Sequence, residues 1–314
     1  MRIAAFALAA LLASFGALAQ DFPSRPIRIV VPNPPGGTVE LIARSIAPAL
    51  EALGQPVVVE LKPGGNSVIG LDAVARAAPD GHTLVMATTA MVTAPLVLKL
   101  PYDGMNAFVP VAGVASTPNV FVVHPSLPAS TIGQLVALSK AQPLNCASSQ
   151  PASAINLAAE RFKLQSHAPL NLIPYQGGVL AVQATVAGQT QVAFAPLSDA
   201  APHIASGRLR AIAVTSLERH GAWRDVPTLA ESGYPGFQAL QWFGVAAPAG
   251  TPKAVVDKLS AAIVRAVESP ELRARFAALG IQAMPMGADR FAAHLRSETA
   301  NLAEVVRVTG IKGE

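Results

Sequence analysis

The fold of this chain is constrained first by an alternation. Short β-branched apolar runs at Ile27 to Val31, Val57 to Leu61 and Thr83 to Ala87 are bounded by Pro, Gly or Asn, and the segments between them carry helical periodicity. Parallel strands need a crossover, which a helix supplies, so this order predicts βαβ units on a mostly parallel sheet. In the first crossover Ile42, Ile46, Leu50 and Leu53 recur every three or four residues as a core-facing stripe, with Gly54 where a C-terminal cap belongs.

The pattern returns with different residues in "LNCASSQPASAINLAAERF", a strand, a loop of small polar residues and a helix from about Ser153 to Phe162. Strand-like runs follow at Leu170 to Pro174, Gln191 to Ala195 and Leu209 to Thr215. After Gln241, "WFGVAAPAGTP" reads as a further strand and turn, and three helical segments with Pro or Ala-Asp starts complete the chain. Two α/β units are expected. The chain is predicted to cross between them near Asn119 to Ser126 and back near Phe237 to Gly244. Residues 20–122 with 241–314 then form one lobe, and 123–240 the other.

The address is read from the first residues. "MRIAAFALAALLASFGALAQ" has a charge at Arg2, an apolar run shorter than the roughly 20 residues of a membrane span, and Ala17-Leu18-Ala19. It reads as a signal peptide, residues 1–19, cleaved near Ala19, which sends the chain to the periplasm. The single cysteine, Cys146, has no partner for an internal disulfide and is expected to be buried. With 51% hydrophobic and 13% charged residues, a large core is available. A net charge of +4 without a basic tract and interleaved aromatics argues against nucleic acid.

Catalytic and cofactor patterns are missing. No lysine lies between Ala4 and Lys62, so the first Gly-rich loop is no Walker loop, and no GxGxxG fingerprint occurs. A nucleophile such as Ser148 or Cys146 could recruit His82 or His203 with Asp199 as orienter, but no serine stands in a GxSxG elbow. The six histidines show no zinc-like spacing. Neither an enzyme, a cofactor nor a metal is expected.

The informative loop is "IVVPNPPGGTVELIAR", Ile29 to Arg44. A Gly-rich turn between a strand and a helix gathers unpaired backbone N–H groups and the positive end of the helix dipole, which suits an anion. Gly36 and Gly37 allow close approach, and Thr38 can cap the helix while facing a ligand. "ATTAMVT" (87 to 93) and "ASSQPAS" (147 to 153) offer similar hydroxyl-rich helix starts, all at the C-terminal ends of parallel strands, where open α/β sheets bind ligands. Either each loop is simply a βα turn, or together they line a cleft for a small anion.

Eight ordered segments carry a resemblance: "PSRPIRIVVPNPPGG", "LGQPVVVE", "AVARAAPDGHTL", "LPYD", "PYQGG", "AAPHIASGRLRAIAVTS", "DVPTLAESGYPGF" and "WFGVAAPAGTP". Over about Phe22 to Ile311 the chain resembles the periplasmic solute-binding proteins of tripartite tricarboxylate transporters, the Bordetella uptake gene family. The resemblance implies a two-lobed type II periplasmic binding-protein fold of the α/β class, with a ligand cleft between the lobes. It implies a monomer that delivers a small organic acid to membrane permease subunits; the alternative is a ligand-dependent sensor subunit of a signalling system. Carried over residue by residue, the ligand contacts are Asn33, Pro35, Gly36, Gly37, Thr38 and Val39 in the first loop, Thr88 and Thr89 in the second, Ser148, Ser149, Gln150 and Ser153 in the third, and Ala195 and Pro196 after a later strand. The chain departs from the family where Asn33 replaces an aromatic, Glu40 an Asp and Cys146 a Tyr, and where "SSQPAS" replaces a Gly-rich loop. Near Ala195 the family allows an acid that takes an amino group. Its absence here leads to the expectation of an acid ligand without an amino group, with Glu40 turned to solvent.

Overall fold

The computed structural model describes residues 22–151 and 153–310. The expected signal peptide, residues 1–19, and its expected cleavage near Ala19 lie outside the described residues. No described helix is long and apolar enough to cross a membrane.

The first lobe begins with β1 (Ile27–Val31), α1 (Thr38–Glu51), β2 (Val57–Leu61), α2 (Val68–Ala75), β3 (Thr83–Thr88) and α3 (Thr89–Val97). β1 pairs in parallel with both β2 and β3. The chain then enters β4 (Phe108–Val123), a 16-residue strand that leads into the second lobe. That lobe holds α4 (Ile132–Ala141), β5 (Leu144–Ser149), α5 (Ala154–Ser166), β6 (Leu170–Tyr175), α6 (Gly178–Val186), β7 (Val192–Pro196), α7 (Leu197–Ala205) and β8 (Arg210–Val214). β5 pairs in parallel with β6 and β7. The chain returns through β9 (Leu240–Pro248), α8 (Lys253–Glu268), α9 (Pro270–Ala278), β10 (Gln282–Gly287) and α10 (Ala288–Thr309). The strand order is β2-β1-β3-β9-β4-β7-β5-β6, with β10 and β8 also paired to β4.

Side-chain alternation along the strands builds a core on each face. Ile27, Ile29 and Val31 of β1 pack with Ile42, Ile46 and Leu50 of α1 and with Val256, Leu259 and Ile263 of α8. Val30 points to the opposite face, among Val85, Trp242 and Phe291. In β4 the same alternation sends Phe121 and Val123 to a cluster with Phe162 and Phe194, and Val120 and Val122 to one with Ala193 and Val214. Each fully buried Ile or Leu of the α1 stripe contributes about 1.5–3 kcal/mol.

Some elements differ from the sequence reading. α1 ends at Glu51, and Gly54 follows in a separate turn with φ +110°, its N–H on the Glu51 carbonyl. α2 falls in a segment read as helical, whereas β4 is expected only as an extended crossing near Asn119 to Ser126, and neither β10 as a strand nor α6 as a helix is foreseen. β4 contains Pro110, Gly113 and Pro118, which break the apolar run. Its register on β9 shifts at Pro110/Ala112 and Gly113/Ala115, and these irregularities absorb the residues that a regular strand would reject.

Candidate ligand cleft

Six strand-to-helix turns meet at one place between the lobes, because β1, β2, β3, β5, β6 and β7 all present their C-terminal ends to it. They surround a cavity of about 90 Å³. Where one water needs roughly 10–15 Å³, this suits a compound of several heavy atoms.

The first turn owes its shape to Gly36, whose φ of +78° only glycine adopts without strain. Gly37 is extended and precedes α1 without a side-chain cap. Two of the loop's N–H groups are satisfied by carboxylates of the protein itself. Gly36 N donates to Glu40 Oε2 at 2.9 Å, and Thr38 N to Asp199 Oδ1 at 3.2 Å. Thr38 Oγ1 donates to the same Asp199 oxygen at 2.6 Å and lies 2.6 Å from Ser198 Oγ. Glu40 thus folds back over the loop instead of turning to solvent. The Gly36 N–H and the Arg44 guanidinium hold its carboxyl below the usual range. Asp199 is pushed upward by burial, against the pull of the two Thr38 bonds.

In the second turn Thr88 caps α3, accepting from Ala90 N at 3.3 Å, and Thr89 Oγ1 donates to Gln241 Oε1 at 2.6 Å. In the third, Ser153 caps α5 by accepting from Asn156 N at 3.1 Å. The fourth, Gln176 to Gly178, leads into α6, which has no side-chain cap. A Cβ on Gly178 would collide with Asp199 Oδ2 and Pro196, so glycine there lets the carboxylate lie against the start of α6. Asp199 therefore sits between two helix N-termini, each favourable to negative charge.

Of the residues expected as ligand contacts, Asn33, Gly37, Thr38, Val39, Thr88, Thr89, Ser149, Ser153 and Pro196 line this cavity. Pro35 and Gly36 lie exposed at the tip of their loop. Ser148 and Ala195 are fully buried within their strands, facing away because alternate strand residues point to opposite sides. Gln150 lines a smaller adjoining cavity with Asn33, Asn66, Ser67 and Gln176. The sequence reading missed Asn66, Ser67, Gln176, Gly178, Val179, Asp199, Gln241 and Phe243. A signal existed for the first four: "PGGNS" after β2 and "YQGG" after β6 repeat the Pro/Gly-rich character of the first loop.

Asp199 changes the electrostatics expected of the cleft. Position 195 carries no acid, but Asp199, four residues further along, lines the cavity and is the sole ionisable residue in its lining. Asn33 Oδ1 and Asn66 Nδ2, both buried, have no hydrogen-bond partner, which leaves one acceptor and one donor in the wall. None of the histidines lines the cavity, and no group of three His, Cys, Asp or Glu among the described residues could hold a metal ion. Cys146 is fully buried, its thiol pushed up to about 12 by that burial.

Residues 42–311 match the model of the tripartite tricarboxylate transporter family receptors, TctC. The chain is 38% identical to Protein BugT of Bordetella pertussis over 307 residues, covering 94% of this chain and 92% of that one. Among solved structures it resembles Rpa4515 of R. palustris with adipate (TM-score 0.89, 28% identity, 93% of this chain and 99% of that one). It also resembles MatC of Rhodopseudomonas palustris with bound malate (TM-score 0.84, 30% identity, 91% and 100%).

Proposed function

The chain belongs to the tripartite tricarboxylate transporter receptor family of periplasmic solute-binding proteins, and from that premise we propose that its cleft captures a small carboxylate for delivery to membrane permease subunits. The observation that carries the reading is the convergence of helix N-termini on one cavity without a lysine, arginine or histidine. A carboxylate bound there is held by backbone N–H groups and hydroxyls at the starts of α3 and α5, in the manner of anions at helix N-termini generally. Thr88, Thr89, Ser149 and Ser153 are the residues placed for it. The adipate and malate of the two related structures support the same ligand class.

Catalysis has no support in this geometry. The cysteine is sealed in the core, and no histidine or lysine lines the cavity; its one hydroxyl–carboxylate pair, Thr38 on Asp199, joins the two lobes. The lobes divide, in this reading, near residue 122 and again near 241, and the mature chain works as a monomer after loss of residues 1–19.

The test is native mass spectrometry of freshly purified protein, followed by thermal melts against mono-, di- and tricarboxylates and amino acids. A ligand at about 100 times its dissociation constant adds roughly 2.7 kcal/mol. For a chain of this size that raises the melting temperature by about 5 °C. A panel without a single hit, together with no retained molecule, would remove the reading.

A further inference from the structure

The carboxylate of Asp199 is held by one oxygen only. Oδ1 accepts both bonds from Thr38, whereas Oδ2 accepts no hydrogen bond and is not among the buried unpartnered atoms. Oδ2 lies against Gly178 at the start of α6, and as Asp199 lines the cavity this oxygen is the acceptor it leaves for a ligand. Asn33 Oδ1 in the same lining is likewise without a partner but is itself buried. No cationic side chain in the lining balances either.

This arrangement separates two ends of the cavity. The α1 and α6 N-termini, the place where an anion was expected from the first loop, already hold the protein's own anion. The N-termini of α3 and α5 remain for a ligand carboxylate. A second carboxylate on the ligand would be driven toward Asp199 in surroundings of reduced polarity and without a counter-ion, and like charges so placed repel. An ammonium group there would instead gain an ion pair and hydrogen bonds.

We propose that Asp199 is the specificity-determining residue of the cleft: its Oδ2 receives the ammonium group of the ligand, so that the site selects amino-carboxylates over acids of the same shape without the amino group. The inference rests on the reading that the cleft takes a carboxylate, and reverses the preference expected from Ala195.

Calorimetric titration of matched pairs tests it: aspartate against succinate, glutamate against glutarate, 4-aminobutyrate against butyrate, and leucine against 4-methylpentanoate. At least one aminated member is expected to bind tenfold or more tightly than its partner. In Asp199→Asn, which keeps an oxygen for Thr38, that ratio falls at least tenfold. The inference is overturned if the unaminated acid equals or exceeds its partner in every pair that binds, or if folded Asp199→Asn leaves the ratio unchanged. The wild-type ratios decide the matter if the variant does not fold. Binding only by unaminated acids overturns the inference and leaves the carboxylate reading standing; no binding by any member removes both.

Discussion

Thr38 Oγ1 and Asp199 Oδ1 lie 2.6 Å apart, joining the first turn of α1 in one lobe to the first turn of α7 in the other across 161 residues of sequence. The Thr38 backbone N–H reaches the same oxygen. The clasp caps a helix that has no cap of its own, and the capping group comes from the opposite lobe.

Replacing Thr38 by Val removes the hydroxyl and keeps the N–H bond and the volume. The partly exposed site places the loss near the low end of the range for hydrogen bonds to charged groups, about 1.5 kcal/mol. Thermal melts of the unliganded protein should show a midpoint lower by about 3–5 °C, and an unaltered midpoint would mean that the clasp adds nothing.

Asp199 and Glu40 give stability opposite pH dependences. The folded-state value of Asp199 is raised above 3.8, so the folded state binds its proton more tightly and loses stability as pH rises through that window. Asp199→Asn should therefore gain on the wild type in melting temperature as pH rises above about 4. Glu40 is lowered from 4.5, so its stabilisation is present above that value and lost as pH falls through the lowered one. Glu40→Gln should accordingly be more harmful at pH 7 than at pH 3, and parallel melting curves across pH would contradict both assignments.

Gly37 has a φ of −93°, which other residues tolerate, yet a Cβ there would stand 3.3 Å from Val179 Cγ2 on α6 of the facing lobe. Gly37→Val adds two methyl groups beyond that Cβ. The adjacent Thr38–Asp199 clasp is lost with closure, so the unliganded protein is expected to lose about as much melting temperature as Thr38→Val, and ligand affinity to weaken at least tenfold because the lobes no longer close. Wild-type affinity in the folded variant would show that this contact has no part in closure.

Cys146 should resist an aromatic disulfide reagent at neutral pH in the native protein and react with one equivalent in denaturant. Its thiol is fully buried and its ionisation is suppressed to about 12. Rapid native labelling would place the thiol in an opening segment of β5.

The sequence exposes local order and hides what is assembled from afar. β1 and β2 were legible to the residue because Pro26, Pro32 and Pro56 frame runs rich in Val and Ile. α5 was legible from Ser153, whose hydroxyl does cap it. β10 was not, since "QAMPMG" has neither alternation nor β-branched residues and takes its place by pairing with β4. Asp199 was seen only as a possible orienter for a histidine. Its role depends on α7 turning it into a cavity made by distant loops, and on Thr38 meeting it from the other lobe. The first loop reads as a place for a ligand's negative charge, and no local pattern could say that Asp199 and Glu40 of the protein itself would accept from its N–H groups.

β4 has a consequence for cooperativity. Residues 108–118 pair with β9, and residues 119–123 with β7, so the ladder changes partner between Pro118 and Asn119 within one strand. Each half pairs with strands of its own lobe, but the two halves are one continuous strand, so disorder that reaches Pro118 and Asn119 from either ladder enters the other directly. The two lobes are therefore not separable thermodynamic units: a heat-capacity trace should show one peak, with equal calorimetric and van't Hoff enthalpies, where independently folding domains would give two.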